Sequence, residues 1–163
     1  MTSDLSKIKN IRSKKKFTIS LAESCTGGMI SKYLTSINGS SLFFNGACIS
    51  YSNQMKTRLL KVPKNTIINY GAVSHQTALA MVKGLKAITD SEILLSVTGV
   101  AGPSGGTART PVGCVFFGIG SAINKKYKFK TAKKIFHEKT RHAIQKKSTE
   151  YAMYLILKEL KKI

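Results

Sequence analysis

The sequence FTISLAESCTGG, residues 17–28, joins an apolar run to a short polar segment that ends in two glycines. FTISLA alternates β-branched and small residues, which is typical of a buried strand. The apolar residues of the following TGGMISKYLTSI recur at helical spacing and predict a helix over residues 26–37. We therefore expect Glu23, Ser24 and Cys25 to lie where a strand passes directly into a helix.

The rest of the chain predicts alternating strands and helices, followed by a β-meander. The predicted elements are a helix that ends near Ser13, a strand over 40–52, a helix that starts at the candidate N-cap Asn53 and stops at Pro63, a helix over 73–88 capped by Ser74, a strand over 93–100, strands over 112–121 and 125–136 joined as a hairpin at AINKK, and a helix from about Lys139 to the end. This order predicts an α/β fold with a mixed sheet. A length of 163 residues suits one domain, 1–163, in which residues 1–16 form a basic helical segment.

The net charge of +20 is concentrated at the two ends of the chain. Residues 1–16 carry six Lys or Arg against one acid, and residues 121–163 carry thirteen against three. Of the 27 basic residues 23 are Lys, whereas specific readers of bases and phosphates usually depend on Arg. We expect no aromatic stacking platform beside these lysines, and hence a solvated surface with at most weak polyanion binding.

The cysteines and the apolar runs bear on the compartment. Cys25, Cys48 and Cys114 stand far apart without a CxxC spacing, which argues against a disulfide framework and against a structural zinc site. The N-terminal residues lack the pattern of a secretory signal, and no apolar run reaches the roughly 18 residues that a membrane span needs. These features predict a cytoplasmic protein without a membrane partner.

The segment after the first strand could hold a nucleophile. Ser24 or Cys25 would lie beside the unsatisfied backbone N–H groups of a helix start, and those of Cys25, Thr26 and Gly27 are candidate oxyanion donors. The alternative is a structural turn in which a hydroxyl caps the helix and Glu23 complements its dipole.

The choice of nucleophile depends on the available base. A thiol usually needs a histidine, and His75, His137 and His142 all lie in segments predicted to be exposed. A lysine can replace histidine if its pKa is lowered. Lys56, in ISYSNQMK, falls in the first turn of the helix predicted after Tyr51, where the helix dipole disfavours a positive charge. Spacing alone does not single out Lys56 among 23 lysines, and a tyrosine in this place is most often a half-buried aromatic at the end of a strand.

A glycine-rich loop, TGVAGPSGGTARTPVG, occupies residues 98–113 at the C-terminal end of an apolar strand. Ligands of α/β proteins bind at this end of the strands, and glycine-rich loops there expose N–H groups to anions. Arg109 is a candidate anion clamp. A structural loop without a ligand is the alternative.

Together, AESCTGG, GSSLFFNGACISYSNQMK, YGAVSHQTALAM and VTGVAGPSGGTARTPVG resemble, in this order, the C-terminal domain family of competence-damage-inducible protein A (CinA). The resemblance runs from about Thr18 to Gly120, with a looser match in the last helix. It implies a three-layer α/β/α sandwich with a mixed β-sheet. The resemblance to stand-alone members of the family also implies hydrolysis of nicotinamide mononucleotide to nicotinate mononucleotide and ammonia, without a metal or organic cofactor. It further implies a homo-oligomer.

The resemblance assigns roles to residues of this chain. Ser24 takes the position of the nucleophile, Lys56 that of the general base and Tyr51 that of a supporting hydroxyl. The substrate-binding positions are Thr98, Gly102, Gly105, Gly106 and Thr107, and Arg109 or Arg141 would hold the phosphate of the nucleotide.

The chain departs from the family pattern at several positions. His75 and Gln76 replace an acidic pair, TART at 107–110 replaces an acid–lysine run, Cys114 stands where Thr is common, and FHEKT before Arg141 lacks Gly-Asp. The resemblance therefore leaves the recognition of phosphate and ribose open. Two other classes of function stay in view, namely a nucleotide-binding module without turnover and a basic nucleic-acid-binding protein.

Overall fold

The computed structural model describes residues 2–123 and 126–162. Its elements are α1 (Thr2–Lys14), β1 (Ile19–Glu23), α2 (Met29–Leu34), a 3₁₀ helix (Ser40–Leu42), β2 (Phe44–Ile49), α3 (Asn53–Leu60), α4 (Lys64–Tyr70), α5 (His75–Ile88), β3 (Ile93–Gly99), β4 (Cys114–Ile123), β5 (Lys126–Ile135) and α6 (Arg141–Leu160). The strands form one sheet in the order β2-β1-β3-β4-β5. β1 is parallel to β2 and β3, whereas β3, β4 and β5 are successively antiparallel. The predicted α/β fold with a mixed sheet is confirmed.

Helices cover both faces of this sheet because successive strand residues point to opposite sides. Leu21 of β1 and Leu95 of β3 belong to a core cluster that also contains buried side chains of α1, α2 and α6. Their neighbours Ala22 and Leu94 belong to a second cluster on the other face, together with side chains of α3 and α5. The three-layer α/β/α arrangement follows from this alternation.

The transition after β1 differs from the prediction. The predicted helix over 26–37 is reduced to the six residues of α2, which begins at Met29. Gly27 and Gly28 have φ angles of +59° and +97°, a backbone conformation that suits glycine and strains other residues. Ser24 therefore lies in a turn that precedes the helix. The prediction that the dipole of this helix acts on Ser24 is wrong, because the helix begins five residues later.

The segment around α3 also required correction. The predicted strand over 40–52 is too long. Its first three residues form the 3₁₀ helix, and β2 covers only Phe44–Ile49. Ser52, not Asn53, caps α3, and its hydroxyl accepts a hydrogen bond from the Met55 N–H at 3.1 Å. Pro63 does not close α3. It precedes α4, which the sequence did not predict, and its fixed φ suits the start of a helix.

The other predicted elements are present within the described residues. The cap of α5 is confirmed, since the Ser74 hydroxyl accepts a hydrogen bond from the Thr77 N–H at 3.1 Å. β3, the β4–β5 hairpin, α1 and α6 occupy the predicted regions. Asn124 and Lys125, in the predicted AINKK connection, lie outside the described residues.

The end of α3 lies directly against α5. A Cβ atom placed on Gly84 of α5 would be only 1.8 Å from the carbonyl oxygen of Leu60, the last residue of α3. A side chain at position 84 would therefore push the end of α3 away from α5. Because α3 carries Lys56, this close approach also determines where that lysine lies.

We predict that Gly84→Ala destabilises the protein by about 1–3 kcal/mol, through overpacking against Leu60. In an unobstructed helix interior the same change would stabilise by about 1 kcal/mol. Urea denaturation measures the difference, with Ala87→Gly at an exposed position of α5 as the control for helix propensity. A Gly84→Ala protein more stable than the wild type would contradict this packing.

Candidate active site

The C-terminal ends of three parallel strands meet at one edge of the sheet. Glu23, the last residue of β1, pairs with Ile49 of β2 on one side and with Val97 of β3 on the other. The residues that follow these three are Ser24, Ser50 and Thr98, so they lie side by side along the edge. The backbone continues this register, because the Ser24 N–H donates to the Val97 carbonyl at 3.1 Å and the Ser50 N–H donates to the Glu23 carbonyl at 2.8 Å.

Lys56 extends from the first turn of α3 to this edge and is buried there. Its side chain is 2% exposed, and that of Ser24 is 6% exposed. Nζ lies 2.9 Å from Ser24 Oγ, 3.0 Å from the Ser50 carbonyl oxygen and 3.0 Å from the Tyr51 carbonyl oxygen. Among the described residues, Lys56 forms no salt bridge. The amine is thus surrounded by neutral hydrogen-bonding groups.

Burial lowers the pKa of Lys56, because an ammonium group is poorly solvated in this position. A thiolate at Cys25 would raise it again, but burial raises the pKa of Cys25 to about 12 and keeps that thiol neutral near pH 7. No carboxylate of a described residue pairs with Lys56, so its ammonium form would be stabilised by neutral acceptors alone. The Lys56 amine is therefore neutral at a lower pH than the amine of an exposed lysine.

The three contacts of Nζ match the valence of a neutral amine. Two N–H bonds can donate to the Ser50 and Tyr51 carbonyls, and the lone pair then faces Ser24 Oγ. In the structure the Ser24 hydroxyl faces the Tyr51 carbonyl at 3.5 Å while Nζ contacts Oγ at 2.9 Å, and a neutral Nζ can accept the hydroxyl proton, as a general base must. The same three contacts also satisfy the ammonium that forms once the proton is transferred.

The turn that carries Ser24 is held by Glu23, which is 0% exposed. One carboxylate oxygen accepts hydrogen bonds from the Thr26 hydroxyl at 2.6 Å and from the Gly28 N–H at 3.0 Å. The other accepts from the N–H and the hydroxyl of Ser31 at 2.8 and 2.5 Å. Donors of the turn and of α2 thus compensate the buried charge, and Glu23 is a structural group that lies beside the site.

The predicted oxyanion donors are only partly available. The Gly27 N–H donates to the Ser24 carbonyl at 3.1 Å and so is not free. Within the described residues no other residue accepts a hydrogen bond from the N–H groups of Cys25 and Thr26. These two N–H groups remain candidate donors, and Gly27 is corrected to a residue that closes the turn.

Cys25 is poorly placed to act as a nucleophile. Its side chain is buried in the core cluster that α1, α2 and α6 share, and its raised pKa disfavours the reactive thiolate. His75, His137 and His142 are all exposed, as expected from the sequence, and none of them lines the cavity at Ser24. Ser24 is therefore the better candidate for the nucleophile.

A cavity of about 290 Å³ opens in front of the Ser24–Lys56 pair. Of the residues singled out from the sequence it is lined by Ser24, Cys25, Tyr51, Lys56, Thr98, Gly102, Gly105 and Arg141. Arg141, at the start of α6, donates hydrogen bonds to the Gly102 carbonyl at 2.9 Å and to the Tyr51 hydroxyl at 2.8 Å. One guanidinium thus joins the loop after β3 to the segment after β2, across the cavity.

Two predicted roles change in this geometry. The Tyr51 hydroxyl accepts its hydrogen bond from Arg141, whereas the contact of Tyr51 with Lys56 is made by its backbone carbonyl. The Thr98 hydroxyl, expected at the substrate, donates to the Ala72 carbonyl at 2.8 Å. Tyr51 therefore supports the lysine through its backbone, and its ring is 58% exposed at the rim of the cavity.

The outer half of the glycine-rich loop lies away from the cavity. Gly106, Thr107 and Arg109 are exposed and are not among the lining residues, and Thr107 instead hydrogen-bonds Thr110 within the loop. Of the two candidate phosphate clamps, only Arg141 lies at the cavity. The positions where the chain departs from the resemblance, namely His75, Gln76, 107–110, Cys114 and FHEKT, are also absent from the lining.

Some residues of the site carry no clear signal in the sequence. Asn53 and Ser104 line the cavity, and Gln145 of α6 donates to the Cys25 carbonyl at 2.9 Å. Glu23 was expected only to complement a helix dipole. Glu23 lies two residues after Leu21 and so on the face of β1 that packs against α2, a relation that strand alternation could have shown.

The described residues contain no group of three or more His, Cys, Asp or Glu side chains that could hold a metal ion. No helix formed by those residues is both long and apolar enough to cross a membrane.

Fold and site together define an α/β protein with a buried serine–lysine pair at the carboxyl edge of a mixed sheet. The family model for the CinA C-terminal domain matches residues 3–160. The chain belongs to the CinA C-terminal domain family.

Curated relatives agree with this assignment. A CinA-like protein of Pseudothermotoga lettingae is 42% identical over 146 residues, which cover 89% of this chain and 34% of that protein. A CinA-like protein of Petrotoga mobilis is 46% identical over 145 residues, which cover 89% of this chain and 35% of that protein. The chain thus spans about a third of the length of these relatives.

Solved structures share the fold over nearly the whole chain. The competence/damage inducible protein CihA from Agrobacterium tumefaciens is similar with a TM-score of 0.87 and 32% identity, over 95% of this chain and 92% of that one. A CinA superfamily protein from Klebsiella pneumoniae has the same fold with a TM-score of 0.88 and 23% identity, over 97% of this chain and 96% of that one.

We predict that Ser24 reacts with a small aryl sulfonyl fluoride at a rate that depends on Lys56 being deprotonated. The rate is lost as pH falls through the pKa of Lys56 and reaches a plateau above it, with a midpoint below the 10.5 of an exposed lysine. Mass spectrometry of the labelled protein over a pH series gives the profile. Cys25→Ala serves as the background, so that the thiol next to Ser24 cannot react, and peptide mapping separates label on Ser24 from label on Cys48 or Cys114.

The control for this profile is Lys56→Gln, which keeps a hydrogen-bonding side chain but cannot take up the proton. In that variant the labelling of Ser24 should be slow at every pH. A Lys56→Gln protein that reacts like the wild type, or a midpoint at 10.5 or above, would rule out the base assignment.

Proposed function

We propose that the protein hydrolyses the primary amide of nicotinamide mononucleotide to nicotinate mononucleotide and ammonia, through Ser24 and Lys56. The observation that carries the proposal is the 2.9 Å approach of Lys56 Nζ to Ser24 Oγ at the wall of an open cavity. A purely structural serine would not need a buried amine without an acidic partner, which is costly to desolvate.

The first half of the reaction forms an ester on Ser24. Lys56 takes the hydroxyl proton as Ser24 Oγ attacks the carboxamide carbon, and the N–H groups of Cys25 and Thr26 are the candidate donors to the developing oxyanion. The ammonium of Lys56 then gives the proton to the amide nitrogen, so that the C–N bond breaks and ammonia leaves. The pyridinium ring withdraws electrons from the carboxamide and makes its carbon more electrophilic.

The second half restores the enzyme. Lys56 accepts a proton from water as the water attacks the ester carbon. Lys56 then returns this proton to Ser24 Oγ as nicotinate mononucleotide leaves. Water is the only co-reactant, and both halves use the same pair of groups in the same positions.

The cavity suits a substrate of the proposed size and charge. Its 290 Å³ is close to the lower bound of about 300 Å³ for small-molecule sites. Arg141 is the charged group best placed for a phosphate, since its guanidinium lies at the rim and has N–H donors beyond the two that bind Gly102 and Tyr51. The family departures at His75, Gln76 and 107–110 lie outside the lining, which supports an unaltered site.

We predict that purified protein releases ammonia from nicotinamide mononucleotide and that Ser24→Ala reduces the rate by more than about 10³-fold. Lys56→Arg should have a similar effect, because arginine keeps the positive charge but cannot act as a base near neutral pH. A coupled assay for ammonia measures the rates, and circular dichroism verifies that each variant is folded.

Cys25→Ala is the matched control, since it alters the neighbouring residue of the same turn. It should keep most of the activity, and its complete loss would point to a thiol mechanism. Full activity in Ser24→Ala would refute the assignment of the nucleophile. A folded wild type that releases no ammonia would mean that this nucleotide is not the substrate, or that the cavity binds without turnover.

A further inference from the structure

A second concave surface lies between α1 and α6, on the face of the sheet opposite α5. This groove has a volume of about 500 Å³ and is lined by Asp4, Lys7, Asn10, Ile11, Tyr154, Leu157, Lys158 and Lys161. The lining residues of α6 recur at intervals of three and four, so they form one stripe along the last turns of that helix. Their distance from Arg141, at the other end of α6, is about 24 Å along the axis, taking Leu157 as the centre.

Two tyrosine rings accompany the lysines of this region, the half-buried Tyr151 and the exposed Tyr154 of the groove. Tyr151 and Tyr154 are stacked, with ring centroids 5.6 Å apart and an angle of 28° between the planes. Tyr154 is 53% exposed, and the amine of Lys158 lies 5.9 Å from its ring centroid. Lys134 of β5 lies 5.2 Å from the ring of Tyr151. The expectation that no aromatic platform accompanies the lysines is therefore wrong for α6.

The charge of the groove is positive and mostly uncompensated. Three lysines line it against the single acid Asp4, which lies 3.5 Å from Lys7. Lys158 and Lys161 are exposed and form no salt bridge with a described residue. The nearby Glu159 is already paired with Lys130 and Lys162. An anionic partner would thus meet, beside an exposed ring, two ammonium groups that form no salt bridge with any described residue.

We propose that the groove between α1 and α6 binds single-stranded nucleic acid, with one base stacked on Tyr154 and the flanking phosphates on Lys158 and Lys161. A nucleic-acid base can stack on an exposed ring only if the base is not already stacked inside a duplex, so this surface favours single strands. Such stacking depends little on the base sequence. The mixture of Ile11, Leu157 and Tyr154 with lysines suits a base and its phosphate better than a phosphate alone.

The test is fluorescence anisotropy with a labelled oligothymidylate 12-mer and with a duplex of equal length, at several salt concentrations. The wild type should bind the single strand more tightly than the duplex. Tyr154→Leu should weaken single-strand binding about fivefold or more and leave duplex binding unchanged. Lys158→Gln/Lys161→Gln should lower the slope of log K against log salt by about 1.4, because two phosphate contacts are lost.

The matched control is Lys64→Gln/Lys83→Gln, which removes the same charge from exposed positions of α4 and α5. It should bind the single strand within about twofold of the wild type. Equal losses in the two double variants would assign the binding to diffuse charge and overturn the proposal. Unchanged binding by Tyr154→Leu, or no binding by the wild type at low salt, would overturn it too.

One further measurement separates nucleic acid from a membrane surface. Cosedimentation with vesicles that contain phosphatidylserine should be weaker than binding to the oligonucleotide and should not depend on Tyr154. Vesicle binding that is tighter and is lost in the Lys158→Gln/Lys161→Gln protein would assign the groove to anionic lipid and contradict the proposal. Ammonia release should be unchanged in all groove variants.

Discussion

The site depends on a buried lysine amine that has no acidic partner among the described residues. Desolvation disfavours the charge of Lys56, and the carbonyls of Ser50 and Tyr51 fix the direction of its amine. The remaining direction is occupied by Ser24 Oγ. A carboxylate in this place would hold the proton on the lysine and remove its ability to act as a base, so the lack of a salt bridge at Lys56 is part of the arrangement.

The serine is positioned by a second buried group of opposite sign. Glu23 precedes Ser24 and faces the other side of the sheet, where donors of the turn and of α2 surround its two oxygens. The two adjacent residues at the end of β1 therefore have different roles. The Glu23 carboxylate holds the turn on the α2 side of the sheet, and Ser24 faces the cavity. The two glycines of the turn take positive φ angles and close the turn before α2 begins at Met29.

Much of this could be predicted from the sequence, for physical reasons that differ between elements. β3 and α5 were predicted with nearly correct bounds, because a continuous apolar run and a capped amphipathic pattern are local signals. α4 was missed because its seven residues include no buried side chain. Ser24 and Lys56 are 32 residues apart in the sequence and meet only because β1 and β2 end side by side. Spacing alone therefore did not distinguish Lys56 from the other lysines. The family resemblance did. The roles of Arg141 and of the Tyr51 carbonyl depend on contacts across the cavity that no local pattern encodes.

The central claim is that Lys56 is a neutral base within reach of Ser24, and the titration of its own amine tests it most directly. The protein can be labelled with ¹³C at lysine Cε and followed by NMR over a pH series, with Lys56→Gln to assign the resonance. We expect the Lys56 resonance to titrate below those of the exposed lysines. A Lys56 resonance that titrates together with the others, near pH 10.4, would contradict it.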